Sequence, residues 1–167
     1  PALHAYLSPQ SKELFVRNHV FSERELEARH EINLEEYIKK VQIESRVMGD
    51  LATNHVIPTA IAYQNKLVNN VKGLKELGLE SRYTDSTVDT IKEISEHVTT
   101  IKTGVDEMIE ARKVANNLAD TEERAVAYSE KVKSYFETIR YHVDKLELIV
   151  DDEDWPLVKY RELLFLK

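Results

Sequence analysis

Glu27-Ala28-Arg29-His30 sets a carboxylate and an imidazole one helical turn apart. Carboxylate-bridged metal bundles use this Glu-x-x-His spacing to present two ligands on one face. Such a centre also needs a second copy of the motif and two further glutamates. Stepping back three residues from the other histidines reaches Pro1, Val16, Ala52, Ile94 and Ile139, so the sequence holds no second copy. The pair therefore reads as part of a charged helix face. His30-Glu31 also lacks the second histidine, four residues on, that a zinc protease helix requires.

Asp151-Asp152-Glu153-Asp154 offers the hard oxygen ligands that divalent cations prefer. Adjacent acids point in different directions, however, and the spaced calcium loop with its turn glycine is missing, so the run reads as solvated charge. His55, beside Asn54 and just ahead of Pro58, reads as a hydrogen-bond partner for a carbonyl that the proline frees. The sequence contains no Gly-rich phosphate loop, no Gly-x-Ser-x-Gly and no histidine-acid pair with a credible nucleophile. No catalytic, cofactor-binding or metal-binding residue is assigned.

The composition agrees with that absence. A net charge of -7 has the wrong sign for a nucleic-acid footprint. The lack of cysteine excludes disulfides and thiolate chemistry. No apolar run approaches the roughly 20 residues of a membrane span, and no signal peptide is visible, so a cytoplasmic location is expected. Four Gly and four Pro leave little material for the turns of a β-rich fold, which predicts an all-α chain. The chain begins with Pro1 rather than Met, as a piece of a longer protein or a processed N-terminus would.

The elements follow from spacing. Ser8 as cap and Pro9 in the first turn predict a short helix over about 9 to 18. Ser22 with Glu25 forms a capping box, and Phe21 with Leu26 a hydrophobic staple. Apolar positions then recur at steps of three and four from Leu34 to Leu77, through a kink expected at Pro58, with Gly78 ending the helix. Gly49 and Gly73 lie within this stripe and read as close-packing positions. Asp85 or Ser86 starts a second stripe, and Asp120 with Glu123 a third. The predicted long helices cover about 23–77, 86–119 and 121–150.

Short connections imply an elongated antiparallel three-helix bundle with a very long Pro-kinked first member. Its segments are a connecting segment over 1–21, a helical bundle over 22–154 and a C-terminal apolar tail over 155–167. The helices would be roughly 80, 50 and 45 Å long, leaving about 30 Å of the first projecting over 23–43. That overhang calls for a cover: the short first helix, another part of a longer chain, or another subunit. In the tail, Trp155, Leu157, Tyr160, Leu163, Leu164 and Phe165 form an apolar strap expected to dock on the bundle or a neighbouring chain.

The stretch ELEARHEINLEEYIKKVQIESRVMGDLATNHVIPTAIAYQNKLVNNVKGLKELG resembles the region that follows the catalytic domain in type III glutamine synthetases, the large bacterial form. IKEISEHV, EARKVANNL, YFETIRYHVDKLELIVDD and DWPLVKYRELLF carry the resemblance on in the same order. It implies a non-catalytic C-terminal helical domain that assists assembly or positioning of the catalytic domain. Members of that family join ammonia to glutamate using ATP and Mg2+ or Mn2+, in stacked hexameric rings. The cofactors implied belong to the parent enzyme, and no catalytic residue carries over. The partners implied are its own catalytic domain and neighbouring subunits of a homo-oligomer, with no nucleic acid and no membrane. The competing expectation from the residues alone is a free-standing helical module that pairs its stripes with a partner helix.

Overall fold

A computed structural model describes residues 5–164, with the side chains of residues 160 and 161 left aside. Among the described residues every regular element is helical. Helix α1 (Pro9–Arg17) starts where its first N-H groups find a cap, the Ser8 hydroxyl accepting from the Ser11 N-H at 3.2 Å. It ends in a Schellman motif, with His19 in the left-handed region at φ 52° and the Val20 N-H donating to the Phe15 carbonyl.

Helix α2 (Glu23–Leu51) opens with the expected capping box. The Glu25 carboxylate accepts from the Ser22 N-H at 2.8 Å, and the Ser22 hydroxyl accepts from the Glu25 N-H at 3.3 Å. Beyond α2 the helix runs on through a π-helical segment (Ala52–Val56) into α3 (Ile57–Glu76). The expected kink site at Pro58 thus lies just past a five-residue stretch of wider turn. The reason is local. Pro58 has no N-H to donate back, and the preceding Ile57 N-H donates to the Ala52 carbonyl, five residues away.

The apolar pattern shows why the extra width is tolerated. Ala52, Val56 and Ala60 are all buried, and they follow one another at steps of four. A regular α-helix would let successive steps of four drift off one face; the π segment absorbs the excess and keeps all three pointing inward. Helix α3 ends in a second Schellman motif. Gly78 takes φ 78°, its N-H donates to the Lys75 carbonyl, and the Leu79 N-H donates to the Leu74 carbonyl.

Helix α4 (Asp85–Asn116) begins after Thr84 rather than after Asp85 or Ser86. Thr84 is buried and spends its hydroxyl on the Ser81 carbonyl at 3.0 Å, which leaves Asp85 as the first-turn acid. Asp120 caps α5 (Thr121–Ala127), accepting from the Glu123 N-H at 2.8 Å. A second π segment (Tyr128–Val132) joins α5 to α6 (Ser134–Ile149). A last short turn, α7, spans Tyr160–Leu163.

Helix α4 packs along α3 and α6, while α2 packs on α5 and the second π segment. One apolar cluster, from Leu34 through Ile94, Ile101, Met108, Tyr128 and Ile139 to Trp155, runs through these contacts. At the start of the long helix, the short first helix supplies the cover. The Lys12 ammonium reaches Glu23 at 2.7 Å and Glu27 at 3.0 Å, and the Phe15 and Phe21 rings meet at 5.7 Å. Leu26 beneath is fully buried.

Two glycines behave differently from the expectation of close packing. At Gly49 an added Cβ would sit 3.5 Å from Val105, an ordinary contact, and at Gly73 it would meet nothing within 4 Å. Close approach occurs instead at Gly104, where a Cβ would come within 3.2 Å of Ile139.

Candidate functional site

The sequence motifs of possible chemistry are dispersed. Glu27 turns outward to Lys12, whereas His30 is buried with its Nδ1 unpartnered by protein. Glu27 and His30 therefore face different surroundings, and His30 does not belong to a charged face. His55 is exposed on the first π segment, and the neighbouring Asn54 amide donates to the Asp50 carboxylate rather than to a carbonyl. Among the described residues, no group of three or more His, Asp or Glu side chains is placed to hold a metal ion.

The acidic run is more than a solvated helix end. Asp154 holds the Lys66 ammonium of α3 at 2.6 Å. Asp152 holds Lys159, and the Asp151 backbone carbonyl accepts from the Trp155 N-H at 3.0 Å. These acids close a turn that sends the chain back against the bundle. Trp155 is buried and joins the central cluster, Leu157 packs against it, and Lys159 is 7% exposed. The Lys159 ammonium donates to the carbonyls of Glu147 at 2.9 Å and Val150 at 3.3 Å, two of the orphan acceptors at the end of α6. The apolar strap thus docks in cis over 155–159. Leu163 and Leu164 are exposed, and Phe165 and the side chain of Tyr160 lie outside the described residues. A buried lysine as helix cap has no local signature, because any lysine in an apolar tail reads as solvent-facing.

Two further features emerge only from packing. The first is an apolar groove of about 440 Å³ between α2 and α6, lined by Ile43, Val47, Leu51, Phe136, Val143 and Leu157. Ile43 and Val47 stay more than half exposed. They sit four residues apart on a second stripe beside the core stripe, which was the available signal. The groove's wall is almost wholly hydrocarbon, so it can bury apolar surface and does not supply a nucleophile or base.

The second feature is a pair of imidazoles across the α4–α6 interface. His97 Nδ1 lies 2.8 Å from His142 Nδ1, with ring centroids 5.0 Å apart. Burial lowers the His142 pKa from its ordinary value, and the neighbouring His97 lowers it further. His97 Nε2 is buried without a hydrogen bond, 3.7 Å from the Glu93 carboxylate one turn earlier. Burial likewise raises the Tyr128 pKa; its hydroxyl donates to Asn116 at 2.7 Å and shares a bond with Gln42, linking the helices at the opposite end of the core.

Residues 1–75 match the family model of the glutamine synthetase C-terminal domain. The chain is 50% identical over 99% of its length to a glutamine synthetase of Bacteroides fragilis, of which it covers 23%. It is 27% identical over 96% of its length to a type-3 glutamine synthetase of Dictyostelium discoideum, covering 22% of that protein. A glutamine synthetase of Butyrivibrio fibrisolvens is 24% identical over 96% of the chain, which covers 23% of it. The chain thus spans less than a quarter of the length of the curated relatives it matches.

Proposed function

We infer a role from one premise: the chain belongs to the family of glutamine synthetase C-terminal domains, the helical region of the type III enzymes. The observation that carries the inference is coverage. Nearly the whole chain aligns, yet it accounts for only 22–23% of each relative. More than three quarters of each relative lies outside it, room for a complete ligase site. The chain is a non-catalytic helical domain that assists assembly or positioning of the catalytic domain of a parent enzyme ligating ammonia to glutamate.

On this reading ATP and Mg2+ or Mn2+ bind the parent's catalytic part, and the partners are that part and neighbouring subunits of a cytoplasmic homo-oligomer. Neither nucleic acid nor membrane is a partner. Among the described residues, no helix is long and apolar enough to cross a membrane. The domain is an elongated three-helix bundle over 22–154, with a connecting segment over 1–21 and an apolar tail over 155–167. The apolar groove between α2 and α6 supports a surface made to be covered.

Two measurements test the proposal. The 167-residue chain, supplied with ATP, Mn2+, glutamate and ammonia, is expected to form no glutamine; clear turnover refutes its non-catalytic role. The full-length parent with this region deleted is expected to lose its assembled size in sedimentation or its specific activity. A parent that keeps both refutes the assisting role.

A further inference from the structure

Across the α4–α6 interface His97 and His142 meet nitrogen to nitrogen. Two Nδ1 atoms 2.8 Å apart must share one hydrogen, since one ring has to donate and the other accept. The tautomers follow from the surroundings. His97 Nε2 faces the Glu93 carboxylate at 3.7 Å. A hydrogen on that nitrogen meets the negative charge favourably, whereas a lone pair there would be repelled. His97 is then the acceptor through Nδ1, and His142 is the donor.

That assignment fixes what protons can do. An added proton enters at the Nε2 of His142, the free lone pair of the two rings, against the burial that disfavours charge there, and the Nδ1-H···Nδ1 bond is left in place. A second must go to His97 Nδ1, where it would confront the N-H of His142 at hydrogen-bond distance. Two cationic rings cannot keep that geometry.

The other charged groups nearby do not relieve this conflict. On α4 the acid within reach of His97 is Glu93, more than half exposed, and Glu96 beside it is exposed as well. On α6, Asp144 lies 3.7 Å from Arg140, Lys145 stands over the Tyr141 ring, and that ring meets His142 edge-on. The long helix meets this part of α4 through Gln64, an uncharged side chain bonded to Ser95 and the Ile91 carbonyl, and its nearby Lys66 is held by Asp154.

We propose that His97 and His142 form a proton-sensitive joint between α4 and α6, closed while the pair carries at most one added proton and opened by the second. Such a joint works the same way whichever larger protein the domain belongs to. Its place gives it leverage, because α4 packs more extensively on α6 than on any other described helix, and the buried Ile94, Ile101, Ile139 and Leu146 flank the pair in sequence.

The test is nitrogen-15 NMR of the labelled 167-residue chain from pH 8 to pH 4.5. Expected is a scalar coupling between the two Nδ1 nuclei at neutral pH that survives the first protonation. With the second it is lost, together with amide protection over 94–101 and 139–146. In His142→Asn that coincident loss of protection disappears. Absence of the coupling at every pH overturns the proposal on the unmodified chain alone, even if the variant fails to fold. Acid opening that is unchanged in a folded His142→Asn overturns it as well.

Discussion

Replacing Gly73 by alanine should stabilise the fold, while the same change at Gly104 should not. Both glycines sit inside helices, where glycine costs about 1 kcal/mol relative to alanine, part of it through the freer unfolded chain. At Gly73 an added Cβ meets nothing within 4 Å, so the gain arrives unopposed. A stabilisation approaching 1 kcal/mol corresponds to a melting shift of about 2–4 °C for a domain of this size. At Gly104 the Cβ would lie 3.2 Å from Cγ1 of Ile139, which is fully buried and has little room to yield. Overpacking of that kind costs about 1–3 kcal/mol, so the net change runs from about zero to a loss of about 2. Urea unfolding followed by far-UV circular dichroism reads both variants, provided the slope is unchanged. A lowered midpoint for Gly73→Ala, or an equal gain at Gly104→Ala, would refute the reasoning.

Gly78→Ala should cost about 1 kcal/mol, because φ 78° forces a Cβ into the left-handed region; an unchanged midpoint counts against the Schellman assignment. Lys159→Met should destabilise by about 2 kcal/mol, since carbonyls at the end of α6 lose a charged donor. The emission of Trp155, the single tryptophan, should move to the red, and an unshifted spectrum would detach Lys159 from tail docking. For pH, the lowered pKa of His142 means that the unfolded chain binds more protons than the fold below the ordinary value of 6.5. Stability should therefore hold above that value and fall as the pH drops below it; urea midpoints from pH 7.5 to pH 5 check this, and His142→Asn should flatten the decline.

Helix starts were legible because their causes are local. Ser8, Ser22 and Asp120 each bond an N-H three residues on, and nothing distant decides that. The buried stripe was legible too, since Leu34, Ile38, Ile101, Val105, Ile139 and Leu146 obey helical spacing. What stayed hidden depends on register between helices. His97 and His142 look unremarkable until α4 and α6 are set side by side, and Gly104 matters only because Ile139 lies across from it. The acidic run misled because charge was assigned to solvent by type, while Lys66 and Lys159 were in reach once the chain had turned.

The first helix introduces a different kind of behaviour. None of its described residues is buried, and it is held over the long helix by Lys12 and by aromatic contacts of Phe15. Exposed ion pairs weaken as salt screens them, on a length of about 10 Å at 0.1 M. The hold of α1 on the long helix should therefore weaken as salt rises. Raising ionic strength should speed amide exchange over 9–17 while the central cluster from Leu34 onward stays protected.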